Sequence, residues 1–195
     1  MSALWVLLLA VSLDLSGGDR INSFAGPFRV VPDHLEDCPP EMQPLKEYYK
    51  LRYSAARDRK VQEIWYYTGN LTTHFRFDDS LTGHANVASW SSRGGWIDNA
   101  HVLTSPRICS TIRERLPEAW RTFVVAMFNN PLQGCPFPAD TYHIVNMSTN
   151  MNFNYPPTFF YGKWRSTVKL MRTSSNEVLG CIRAFFSTLP KLRHR

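Results

Sequence analysis

The side chains best equipped for acid–base or metal chemistry are six histidines, His34, His74, His84, His101, His143 and His194, and the adjacent carboxylates Asp78 and Asp79. The histidines fall singly, without the His-Glu-x-x-His spacing that sets two imidazoles and a general base on one helix face. There is no Gly-x-Ser-x-Gly elbow and no glycine-rich phosphate loop. Asp78 and Asp79 follow an alternating apolar stretch and read as turn residues before they read as a catalytic pair. Triads assemble from distant positions, so a secreted hydrolase stays a third reading, one that needs a histidine in a cleft beside a serine or carboxylate. The expectation is a protein that is not an enzyme and has no cofactor.

The four cysteines, Cys38, Cys109, Cys135 and Cys181, point to a structural role. None forms a Cys-x-x-Cys pair and no histidine spacing completes a zinc site, so no metal is expected. An even count in a secreted chain reads as two disulfides, with three connectivities open. Secretion is expected from the apolar run Ala3 to Leu13 followed by Ser16, Gly17 and Gly18, a pattern of signal-peptide length with small residues for cleavage. The run is short for a membrane anchor, which takes about 20 apolar residues. A signal peptide over 1–18 and a single domain over 19–195 follow. Two sequons, Asn70-Leu71-Thr72 and Asn146-Met147-Ser148, agree with that route and make Asn70 and Asn146 candidate glycosylation sites.

Charge narrows the partners. The chain has 22 Lys plus Arg against 16 Asp plus Glu, a formal +6. Removing Asp14 with the leader would make it +7. The densest basic stretch, Lys46 to Lys60, interleaves Tyr48, Tyr49 and Tyr53 with six basic residues. Secretion argues against nucleic acid as its partner, and a polar strand or loop near lipid headgroups suits it better.

The positioning elements are mostly strands. Leu71, Thr73, Phe75 and Phe77 alternate with polar neighbours, and Val145, Met147, Met151 and Phe153 oppose Asn146, Ser148, Asn150 and Asn152. Both sequons fall on polar faces. Trp164, Val168 and Leu170 alternate with Lys163, Arg165 and Lys169, and a turn at Thr173 to Asn176 leads into an apolar strand from Val178 to Leu189, forming a hairpin. Between Ser105 and Asn130 the period changes to that of a helix, with Ser105 and Pro106 as cap and first residue and Pro117 as an interruption. The fold class is therefore mainly β, antiparallel, with a short helical insertion near 105–130. Two aromatic loops stand out: Trp90 to Trp96 (WSSRGGW), and Tyr155 to Trp164 around Pro156 and Pro157. They are candidates for a cavity rim or a membrane-surface foot, or for plugs at the ends of the sheet core.

The C-terminal third carries a more specific pattern. Gly134-Cys135-Pro136-Phe137, Thr141-Tyr142, Gly162-Lys163-Trp164-Arg165, Ser174 to Asn176 and Leu179-Gly180-Cys181-Ile182 resemble the ganglioside-activator-like family of lipid-recognition proteins, and most of all its secreted insect, chemosensory members. The resemblance covers roughly residues 134 to 188 well and the first hundred only loosely. It implies a cup of two antiparallel sheets around an apolar cavity that takes acyl chains. It also implies disulfides Cys38–Cys181 and Cys109–Cys135. Two departures mark this chain: further cysteine pairs near the helices are missing, and the family's rim tryptophan is replaced by Thr158, with Phe159 and Phe160 following.

On that basis Phe75, Phe77, Val145, Met147, Trp164, Val168 and Leu170 are expected to line the cup, with Trp96, Phe159 and Phe160 at its rim. The expected partner is a lipid or lipid-like small molecule, with transient contact to a membrane surface and a receptor or hydrolase as protein partner. The setting is extracellular, with the lysosome as the lesser alternative. The rival reading is a secreted interaction protein whose core is filled.

Overall fold

The computed structural model describes residues 24–151 and 157–191. The leader expected over 1–18, Phe153 and His194 lie outside the described residues.

Ten strands and two α-helices follow in order: β1 (Ala25–Gly26), β2 (Phe28–Asp37), β3 (Tyr49–Arg57), β4 (Trp65–Thr73), β5 (Leu81–Ser91), β6 (Gly95–Ser105), α1 (Ile108–Arg115), α2 (Pro117–Phe128), β7 (Thr141–Ser148), β8 (Phe159–Phe160), β9 (Gly162–Arg172) and β10 (Glu177–Pro190). The chain is mainly β, every strand pair is antiparallel, and the helices form one insertion. A five-stranded sheet runs β2-β10-β9-β5-β6 and a three-stranded sheet runs β3-β4-β7; the short pair β1-β8 stands apart.

The expected C-terminal hairpin is present. Glu177 pairs with Arg172, and Thr173 to Asn176 make the turn, with Asn176 at positive φ. Its inward face follows from alternation: Val168 and Leu170 on β9 share a side with Ile182 on β10, while Arg165, Phe185 and Arg183 take the other. Arg183 pairs with Glu36 on that outer side at 3.5 Å.

Pro117 divides the helical segment as its missing N–H and fixed φ require. The start of α1 differs from expectation. Ser105 ends β6, Arg107 adopts a left-handed conformation, and no side chain within the helix caps it. Asp79 supplies the cap from the loop before β5: its carboxylate accepts the Ser110 N–H at 2.8 Å and the Ser110 hydroxyl. Local spacing hides such a cap because donor and acceptor are 31 residues apart.

Both disulfides have the expected pairing. Cys38–Cys181 joins the end of β2 to β10, and Cys109–Cys135 ties α1 to the segment before β7. Two such bonds mark an oxidising setting of the secretory or extracellular kind. Among the described residues no helix is long and apolar enough to cross a membrane.

Candidate functional site

The two larger sheets face each other across a cavity of about 380 Å³. Strands β3, β4 and β7 supply one wall through Tyr49, Leu51, Tyr53, Tyr67, Leu71, Tyr142, Ile144 and Met147. The opposite wall holds Leu35, Val168, Leu170 and Ile182, and the end nearest the helices is built from Phe75, Phe77, Phe137, Phe123 and Met127. The wall is hydrocarbon and aromatic ring, with few polar atoms. At the helical end it merges into the core, where Phe137 stacks on Trp120 at 5.4 Å and meets Phe128 at 4.9 Å.

Three of the lining tyrosines spend their hydroxyls on the backbone. Tyr49 donates to Cys181 O at 2.7 Å, Tyr53 to Leu35 O at 3.1 Å, and Tyr142 to Pro138 O at 2.5 Å. Burial pushes the Tyr49, Tyr67 and Tyr142 phenols above their ordinary range, so each stays neutral. Among the described residues, no histidine, carboxylate or cationic side chain lines the cavity. Thr73, also in the wall, has a buried Oγ1 with no hydrogen-bond partner. Among the described residues no group of three His, Cys, Asp or Glu is placed to hold a metal.

Five of the seven expected lining residues stand in the wall: Phe75, Phe77, Met147, Val168 and Leu170. Val145 does not. Alternation puts Tyr142 and Ile144 inward and Val145 outward, where it is 58% exposed. A bulge then shifts the register, since Val145 and Asn146 both fall opposite Thr68, and Asn146 takes a φ of 49°. That one-residue slip brings Met147 back inward. A sequence reading with one unbroken period places Val145 and Met147 together and misses the slip.

Trp164 is also outside the wall. It shares the inward face of β9, but it is only 4% exposed, packed against Phe159 at 5.0 Å and His101 at 5.8 Å, and its indole N–H donates to Thr188 Oγ1 at 2.8 Å. It belongs to the solid end of the fold.

None of the three expected rim residues lines the cavity. Trp96 sits on the outer face of the five-stranded sheet, edge-on to Phe185 at 5.6 Å and beneath the Arg165 guanidinium at 5.0 Å. The Trp90–Trp96 turn is the tip of the β5-β6 hairpin, so its rings pack on the sheet that carries them. Phe159 turns inward onto Phe28 and Trp164. Phe160 remains at the surface, stacked on the exposed Phe24 at 6.0 Å.

The lining residues that sequence reasoning passed over include Tyr49, Leu51 and Tyr53. They alternate with Lys50 and Arg52 inside the basic stretch, a signal present in the spacing but outweighed by charge. Asn70 and Asn146 both lie exposed on the outer side of the three-stranded sheet, away from the cavity. Asn70 is bonded to His143 Nδ1 at 2.7 Å, and Asn146 to Thr68.

No protein-family model matches the chain, and no curated protein matches it. The fold and the site together define a class, a mainly-β protein of antiparallel sheets with an apolar cavity between them and two disulfides.

Proposed function

We propose that this protein is a non-catalytic, secreted carrier of a lipid or similarly apolar small molecule, of the ganglioside-activator kind and closest in character to its chemosensory members. The observation that carries the reading is the apolar cavity of about 380 Å³ between the two sheets. Sites for small molecules run about 300–1,000 Å³ and are mostly apolar. A ligand that covers this wall removes apolar surface from water at about 25 cal/mol per Å².

Burial also supplies the mechanism. Each methylene moved from water to an apolar site gains about 0.8 kcal/mol, so a free acyl chain leaves a membrane slowly while a cup makes the transfer nearly isoenergetic. The stacked pair Phe24 and Phe160 offers an apolar contact for a transient membrane encounter. Oligosaccharides on Asn70 and Asn146 would project from the outer face of the three-stranded sheet and leave the cavity clear. The disulfides suit an extracellular setting, or a lysosomal one. A receptor or hydrolase receiving the ligand is the partner this reading calls for. The cavity counts against an interaction protein with a filled core.

Native mass spectrometry of the protein from a eukaryotic secretory host, with organic extraction, tests the reading. A co-purifying lipid near one-to-one supports it. A bare protein that also takes up no fluorescent fatty acid or glycolipid returns the interaction reading to first place.

A further inference from the structure

Tyr67 differs from the other tyrosines of the cavity wall. Tyr49, Tyr53 and Tyr142 each donate to a backbone carbonyl, whereas the Tyr67 hydroxyl has no hydrogen-bond partner among the described residues. Its side chain shares the inward face of β4 with Leu71 and Thr73, is 7% exposed, and tilts against the Tyr53 ring at 5.7 Å. Burial first, then the neighbouring Tyr53 and Asp33, keep the phenol protonated. Tyr53 is 41% exposed although it lines the cavity, so the wall beside Tyr67 reaches solvent. At the other end of β4, Thr73 leads to the closed aromatic end at Phe75 and Phe77.

Resting on the carrier reading, we infer that Tyr67 is the polar anchor of the cavity: its hydroxyl donates to an uncharged oxygen, a carbonyl or an alcohol, at one end of the ligand, whose hydrocarbon part lies towards Phe75 and Phe77. Apolar sites orient their ligands through a few polar groups, and an enclosed hydroxyl is usually already paired within the protein. Here three of the tyrosine hydroxyls are spent and Tyr67 is not. Thr73 is the other unpartnered hydroxyl of the wall, but its Oγ1 is enclosed by surrounding atoms and offers no surface to a ligand. The ligand oxygen is uncharged because, among the described residues, no cationic side chain lines the cavity to pair a carboxylate and no carboxylate lines it to pair an ammonium. Enclosing an unpaired charge costs far more than enclosing a neutral oxygen that receives a hydrogen bond. Asp33, whose charge reaches Tyr67, further opposes a carboxylate head.

The test is displacement of the neutral dye N-phenyl-1-naphthylamine by four probes of equal chain length: 2-undecanone, 1-undecanol, 1-chloroundecane and undecanoate, at about pH 8, where the acid is ionised. The wild type is expected to bind the ketone and the alcohol about fivefold more tightly than the chloroalkane, and undecanoate at least about tenfold more weakly than the ketone. Tyr67→Phe is expected to bring the ketone and alcohol down to the chloroalkane, with chloroalkane affinity and melting temperature unchanged, because the hydroxyl it removes bonds nothing in the protein. A readout independent of the variant is the carbonyl stretch of 2-undecanone bound to the wild type, expected below its position in hexane. A ketone-to-chloroalkane ratio that is the same in both proteins, a carbonyl stretch at its hexane position, or undecanoate as the tightest probe overturns the anchor. If the chloroalkane still displaces the dye in that case, the carrier reading stands without it. If neither the dye nor any probe binds, both fall.

Discussion

Tyr49 bridges the two sheets at Gly180: its hydroxyl donates to Cys181 O at 2.7 Å, and its ring lies where a β-carbon on residue 180 would stand 3.1 Å from Cε1. The absence of a side chain at 180 is what lets a β3 tyrosine close against β10. Gly180→Ala is therefore expected to displace the ring and cost about 1–3 kcal/mol. Tyr49→Phe, which removes only the hydroxyl, is expected to cost about 1 kcal/mol. Urea unfolding of the two variants checks the order, which reverses if the ring has room to move.

Alternation along β7 makes neighbouring residues opposite in kind. Ile144 is buried in the cavity wall and Val145 points to solvent. Val145→Lys should change stability by less than about 0.5 kcal/mol, whereas Ile144→Lys buries an unpaired charge and should cost more than about 4 kcal/mol. Thermal unfolding of both proteins reads this directly, and a larger loss from Val145→Lys would place the strand in the other phase.

Asp79 caps α1 from a distance, and its hydrogen bonds from the Ser110 hydroxyl and N–H hold its carboxyl below the usual range. A carboxylate whose folded pKa is depressed contributes stability above its unfolded pKa of about 3.9 and loses it as pH falls through the folded value. Asp79→Ala should cost about 1 kcal/mol at neutral pH. The gap between variant and wild type should close as the pH is lowered beyond that point. Denaturant unfolding across the acid range follows it, and a gap independent of pH would assign the loss to packing.

The Cys109–Cys135 bond closes a 26-residue separation around both helices. On chain-entropy grounds the double variant Cys109→Ser/Cys135→Ser should lose about 3 kcal/mol, or roughly 10 °C in Tm. An unchanged melting curve would mean the helices are held by the packing of Trp120, Phe128 and Phe137 alone.

What the sequence made legible follows from where its periods are clean. β9 alternates and an obvious turn leads into the apolar β10, and Pro117 marks the helix break, so both are visible in the residues, although the bulge at Leu179 is not. The cup wall was half legible. Phe75 and Phe77 lie past the end of β4, yet they still face inward because Phe77 pairs with Phe137 through both backbone groups at 2.9 and 3.0 Å. Val145 was misplaced by a bulge that no single period encodes. Trp96 was misplaced because hydrophobicity says that a ring is buried without saying on which face of a sheet. Tyr49, Leu51 and Tyr53 were hidden by the lysines and arginines between them, although a basic outer face and an apolar inner one is what an alternating strand produces.

The most direct test of the cup is to fill it. Leu71 lines the cavity from β4, and Leu71→Trp places a large ring in that space. Uptake of N-phenyl-1-naphthylamine by wild type and variant, measured beside their melting temperatures, decides the matter. The account predicts that the wild type binds near one-to-one and that the variant folds but binds at least about tenfold more weakly. Equal binding by both proteins would contradict it, placing the ligand elsewhere.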